Sequence, residues 1–96
     1  MTGNEVQLRR GLLLLALHEQ YPYPLTETAL QRQVGAFYAA EPKAMARDLH
    51  YLADKGYLAR VEATIAGRQV RSFQATPQGV DVAEGSVVDP GVEISR

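Results

Sequence analysis

At 96 residues, with 46% apolar and 22% charged side chains, the chain can build one modest core but not two domains or a large buried cleft. Its net charge of −1 excludes a polycation that coats nucleic acid by charge alone. The absence of cysteine excludes disulfides and thiolate metal sites, and the composition suits a reducing, cytoplasmic setting.

The first helix is expected over Glu5–Gln20. Within it, LRRGLLLLAL (8–17) sets two arginines before an apolar run, as a secretion leader would. The run stops at His18-Glu19-Gln20, no small-x-small cleavage site follows, and it is shorter than the roughly 20 residues that a membrane span needs. A core helix is therefore expected, with no membrane partner. The prolines of YPYP (21–24) end it by withholding backbone donors. Leu8, Leu12 and Leu15 make one stripe, whereas Leu13 and Leu17 lie almost opposite. The second stripe, Leu13 and Leu17, is expected to meet a partner subunit as a homodimer interface, or else the C-terminal segment.

A second helix is expected to open at Thr26 as N-cap, with Leu25 and Leu30 as a hydrophobic staple. Leu30, Val34 and Phe37 keep helical spacing, which carries it to Phe37 or Tyr38. The third helix starts near EPK (41–43), with Pro42 suited to its first position. Met45, Leu49 and Leu52 form its buried stripe, and Gly56 is the expected left-handed stop. The period then changes to two: Ala59, Val61, Ala63 and Ile65 share one face, and Arg60, Glu62 and Thr64 the other. AGRQ (66–69) marks a turn and 70–75 a returning strand. TPQG (76–79) starts a short helix with Thr76 as N-cap. The domain is expected to span 1–84, with 85–96 a flexible tail or a strand ordered by a partner.

Three helices followed by a hairpin is the order of an α+β winged helix-turn-helix domain. LHYLADKGYL (49–58) resembles the Leu-x-x-Leu-x-x-x-Gly-aromatic-Leu pattern that closes the recognition helix in such regulators. RSFQATPQGVDVAE (71–84) resembles the stretch that follows the wing in MarR-, PadR- and ArsR-like transcriptional regulators. In size and general character the chain is also similar to small winged-helix proteins of Mu-like phages. The resemblance implies a non-enzymatic protein that binds duplex DNA in transcription regulation, with its third helix in the major groove and its wing on the backbone. A homodimer would set two third helices in successive grooves, about 34 Å apart.

With Met45, Leu49 and Leu52 buried, the third helix is expected to turn Lys43, Ala46, Arg47, His50 and Asp54 outward, with Tyr51 at the margin. Arg47 has the fork for a guanine, while Lys43 and His50 could reach phosphates or base acceptors. The resemblance implies wing contacts through Arg68 and Arg71 and a phosphate contact from Arg32 on the second helix. Charge is distributed accordingly: residues 41–75 hold six basic and four acidic side chains, 76–96 one and four, and 1–40 three of each. Only the reading unit is positive.

Against this, Asp48 and Asp54 are expected near Arg47 and His50, giving a mixed face that would repel phosphate. The alternative is a non-enzymatic protein-docking module in a larger, phage-like assembly. Catalysis has no support. His18 and His50 lie on different helices without partners at metal-ligand spacing, and no nucleophile or phosphate-loop motif occurs. No metal or cofactor is expected.

Overall fold

In the computed structural model, which describes residues 4–94, the apolar run after Asn4 forms α1 (Glu5–Gln20). The chain leaves the helix at Tyr21 and turns through a cis Tyr21–Pro22 peptide. A two-residue strand follows, β1 (Leu25–Thr26), and then α2 (Glu27–Gly35). Thr26 caps α2 as its sequence position indicates, its Oγ1 accepting the Ala29 N–H at 3.1 Å. The helix ends at Gly35, short of the expected Phe37. Its last turn tightens on the Val34 carbonyl, which accepts the N–H groups of both Phe37 and Tyr38. Phe37 leaves the helical path there and stands 85% exposed instead of joining Leu30 and Val34.

α3 (Pro42–Asp54) has proline in its first turn and buries Met45, Asp48, Leu49 and Leu52. Its end is a Schellman arrangement. Gly56 has φ 84°, its N–H donates to the Ala53 carbonyl at 3.0 Å, and the Tyr57 N–H donates to Leu52 at 3.0 Å. Strands β2 (Leu58–Ile65) and β3 (Arg68–Ala75) then pair antiparallel from Leu58↔Ala75 to Ile65↔Arg68. β1 pairs with β3 through Leu25↔Phe73 and Thr26↔Ser72, giving the order β1-β3-β2. The last helix is α4 (Pro77–Ala83), capped by Thr76, whose Oγ1 accepts the Gly79 N–H at 3.1 Å.

The core gathers Leu13, Leu14 and Leu17 of α1 with Leu30, Leu49, Leu52 and Phe73. Leu13 and Leu17 are fully buried, so the expectation that they form a dimer interface is corrected. α1 touches α2, α3, α4 and β3, and this ring of neighbours takes the Leu13–Leu17 side. Leu8, Leu12 and Leu15, the other stripe, are the half-exposed ones.

The segment after α4 is also not a loose tail where it is described; Ser95 and Arg96 lie outside the described residues. Val92 is buried, and the Glu93 N–H donates to the Gln7 carbonyl at 3.0 Å. Gly11 permits this approach, because a Cβ there would overlap the Glu93 carbonyl. Asp89, 6% exposed, accepts the Tyr57 hydroxyl at 2.5 Å and the Gly91 N–H at 2.7 Å, with Lys55 Nζ 3.3 Å away. Burial alone would raise the Asp89 carboxyl, but the Tyr57, Gly91 and Lys55 bonds outweigh it and hold its pKa below the usual value. The hydrogen bond to Asp89, with burial, pushes the Tyr57 phenol up to about 12. Among the described residues no helix is long and apolar enough to cross a membrane.

Two outcomes follow from this geometry. Ala66 and Gly67 at the hairpin tip both have positive φ, 54° and 78°, a type I′ arrangement that favours Asn-Gly. Ala66→Asn is expected to stabilise the fold by about 0.5–1 kcal/mol in urea melts, since asparagine tolerates the left-handed region better than alanine. In an absorbance titration, one of the five tyrosines should ionise near pH 12 and return toward its ordinary value in Asp89→Asn. Because the folded phenol value is raised, its stabilisation is complete below about pH 10 and lost as pH rises through 12. The lowered Asp89 value acts oppositely: its contribution is complete above about pH 4 and disappears as pH falls through the folded value.

Candidate nucleic-acid interface

The buried stripe of α3 fixes which side chains remain outside. Lys43, Arg47, His50 and Asp54 are exposed along one face, with Ala46 half-buried at its edge. Lys43 and Arg47 make no ion pair with any described residue. Asp54 does: Arg60 of β2 reaches across the angle between helix and strand and places its Nη2 3.3 Å from Asp54 Oδ1 and 3.0 Å from His50 Nδ1. Arg60 was not among the residues expected at this site. Strand alternation puts it on the same face as Phe73, its cross-strand neighbour in the core, and that is the side against which α3 packs.

Asp48 is corrected. It does not lie beside Arg47 on the surface but is 2% exposed on the inner flank of α3. Its carboxylate bonds the Arg9 guanidinium, and Arg10 Nε lies 3.4 Å from its other oxygen. One acidic charge is thus removed from the outer face and neutralised by two arginines of α1. Tyr51 is corrected with it. Its ring lies under the Arg10 guanidinium, 3.5 Å from ring centre to Cζ, and its hydroxyl lies where a side chain on Gly91 would be. Tyr51 therefore belongs to the contact between α1, α3 and the C-terminal segment, away from the outer face. Arg10 also donates to the Gly91 carbonyl at 3.2 Å.

The wing presents two arginines in different circumstances. Arg68, beside the turn, is exposed and makes no ion pair with a described residue. Arg71 sits opposite Glu62 in the β2–β3 register and 3.5 Å from Glu27 at the start of α2, so its charge is matched at home. Arg32 is exposed on α2 and makes no ion pair with a described residue. His18, at the end of α1, lies 3.1 Å from Glu84 of the segment that ends α4. Among the described residues no group of three His, Cys, Asp or Glu could hold a metal ion.

No family model and no curated protein matches the chain. Solved structures do. A PadR-family transcriptional regulator from Eggerthella lenta superposes with a TM-score of 0.63 at 20% identity, over 81% of this chain and 70% of that one. A PadR-family regulator from Clostridium difficile gives 0.68 at 15% identity, over 80% and 81%. The fold is a winged helix. PadR from Bacillus subtilis, solved in complex with operator DNA, gives 0.62 at 14% identity; the match covers 81% of this chain but 47% of that protein. In winged-helix terms α3 is the third helix and β2–β3 the wing.

The inward position of Asp48 carries a measurable consequence. Asp48→Ala leaves Arg9 and Arg10 facing each other beside the core and is expected to cost about 3 kcal/mol in urea unfolding. A surface aspartate replaced in the same way would stay within about 0.5 kcal/mol of the parent.

Proposed function

We propose that the chain is a sequence-specific duplex-DNA-binding protein, a small cytoplasmic transcriptional regulator that lays α3 in the major groove and rests its wing on the backbone. The observation that carries this reading is the outer face of α3, where Lys43 and Arg47 stand without acidic partners while Asp48 is turned inward. Arg47 supplies a bidentate fork for guanine; Lys43, Arg32 and the wing-tip Arg68 supply phosphate contacts. Arg71 contributes less than Arg68, because Glu27 has to release it first. The complex of the B. subtilis winged helix with operator DNA supports the same use of the fold here.

We also propose that the protein works as a homodimer. The support is an apolar face formed by Leu8, Leu12 and Leu15 of α1 with the exposed Phe37. It replaces the Leu13–Leu17 side, which the core occupies. The same face is what favours the second reading, a protein-docking module in a larger, phage-like assembly. Sedimentation at micromolar concentration should give a dimer, and Phe37→Glu should convert it to monomer. A parent protein that sediments only as monomer removes the dimer.

Duplex binding should weaken steeply with salt. Lys43→Ala and Arg68→Ala should each lower the log–log salt slope by about one, whereas Arg47→Ala should relax sequence preference at a cost of about 1–3 kcal/mol. No binding to mixed duplexes at low salt would refute the DNA reading and leave the docking module.

A further inference from the structure

The three-residue cluster at the angle between α3 and β2 goes beyond a set of surface charges. His50 and Asp54 lie one turn apart on α3, and Arg60 bridges them, with one guanidinium nitrogen 3.0 Å from His50 Nδ1 and 3.3 Å from Asp54 Oδ1. A guanidinium has donors only. The Nδ1 atom must therefore accept, its lone pair is occupied by Arg60, and the ring proton resides on Nε2. A second proton on Nδ1 would oppose N–H to N–H. It would also add a third cation beside Arg60 of β2 and Arg47, one turn earlier on α3, with Asp54 the acid of the cluster.

We infer that His50 meets DNA as a neutral Nε2–H donor directed at a base acceptor, a purine N7 or O6, and that Arg60, anchored by Asp54, is the positioning residue that holds it so. This rests on the DNA-binding reading above. A neutral imidazole releases no counterion from the duplex, so its contact carries sequence information in place of salt-dependent affinity. A single oriented donor also discriminates: it suits the acceptors of guanine and adenine in the major groove and is rejected by the amino group of cytosine. Arg60 would then act on recognition from the wing strand without touching the DNA, because its guanidinium is held between His50 and Asp54.

The test uses the full chain, a duplex selected from a randomised pool and a scrambled duplex of the same length. His50→Ala should reduce discrimination between them by about 5- to 150-fold and leave the salt slope unchanged. Arg60→Ala should produce a loss of similar size, and the double variant no more than either single one, as expected for one interacting unit. His50→Gln, whose amide nitrogen offers a donor near the Nε2 position, should keep most of the discrimination, and Arg60→Ala should be nearly silent in that background. All of these side chains are exposed, so the variants retain the core.

A His50→Ala variant that lowers the salt slope by about one with discrimination intact would make His50 a phosphate contact and overturn the inference. So would an Arg60→Ala variant that lowers the slope on top of His50→Ala. A parent protein that binds neither duplex would defeat the DNA reading itself, an outcome distinct from either of these.

Discussion

A helix that gives way to a strand within three residues leaves carbonyl groups at its end without partners, and in this fold a single hydroxyl closes the gap. Thr76 Oγ1 donates to the Gly56 carbonyl at 2.6 Å while accepting the Gly79 N–H at 3.1 Å, and the Thr76 N–H donates to the Tyr57 carbonyl at 3.1 Å. Gly56 can take its φ of 84° because it has no Cβ, and Gly79 is needed because a Cβ there would overlap the Tyr57 carbonyl. The end of α3, the start of β2, the end of β3 and the start of α4 are thus tied at one point. The angle between α3 and the wing follows from that tie. LHYLADKGYL and TPQG, about 20 residues apart in sequence, are two halves of one joint.

Around that joint the charges are sorted by burial more than by number. The chain carries a net charge of −1, yet Asp48 is drawn inside by Arg9 and Arg10, and Asp89 is held by Tyr57, Lys55 and the Gly91 amide. Both buried carboxylates have charge-assisted partners, which offsets the cost of taking them out of water. The consequence for the surface is indirect but large in effect. Asp48, held inside, leaves the outer face of α3 more positive than a count along that helix suggests. α1 is the element that makes this possible, since its arginines reach α3 and the C-terminal segment while its leucines fill the core.

What was legible in the sequence was what depends on local chemistry. The caps at Thr26 and Thr76, the stop at Gly56 and the alternation of β2 are short-range effects, and each is where its residues indicate. What was not legible depends on which neighbour arrives. The leucines of α1 have nearly all-round apolar character, so only the placement of α2, α4 and the sheet decides that Leu13 and Leu17 face inward. Asp48 reads as surface because aspartate usually is, and nothing within its own helix announces Arg9, which is 39 residues away. Tyr51 fails for the same reason. β1 is two residues long and carries no periodicity. One signal was available and unused: Gly11 interrupts a strong helix at a cost of about 1 kcal/mol, and its lack of a side chain marks where the C-terminal segment crosses α1.

The size of the reading surface bears on why a dimer would be needed if α3 reads DNA. The outer face offers Lys43, Arg47 and His50, and a well-placed base contact discriminates by about 1–3 kcal/mol. Specific complexes exceed nonspecific ones by about 4–10 kcal/mol, so one copy with one or two true base contacts, worth about 1–6 kcal/mol, reaches at most the lower half of that range. Nor can the chain compensate by coating the duplex, because its whole charge is −1 and several of its positive side chains, Arg9, Arg10 and Lys55 among them, are paired with buried carboxylates. Two copies joined through the proposed Leu12–Phe37 side would double the number of base contacts without adding net positive charge. They also require two half-sites at a set spacing, which a single helix cannot demand. If α3 reads DNA, the apolar face and the weakly charged outer face would be connected: a surface too small and too neutral to be specific alone would be matched by a means of pairing.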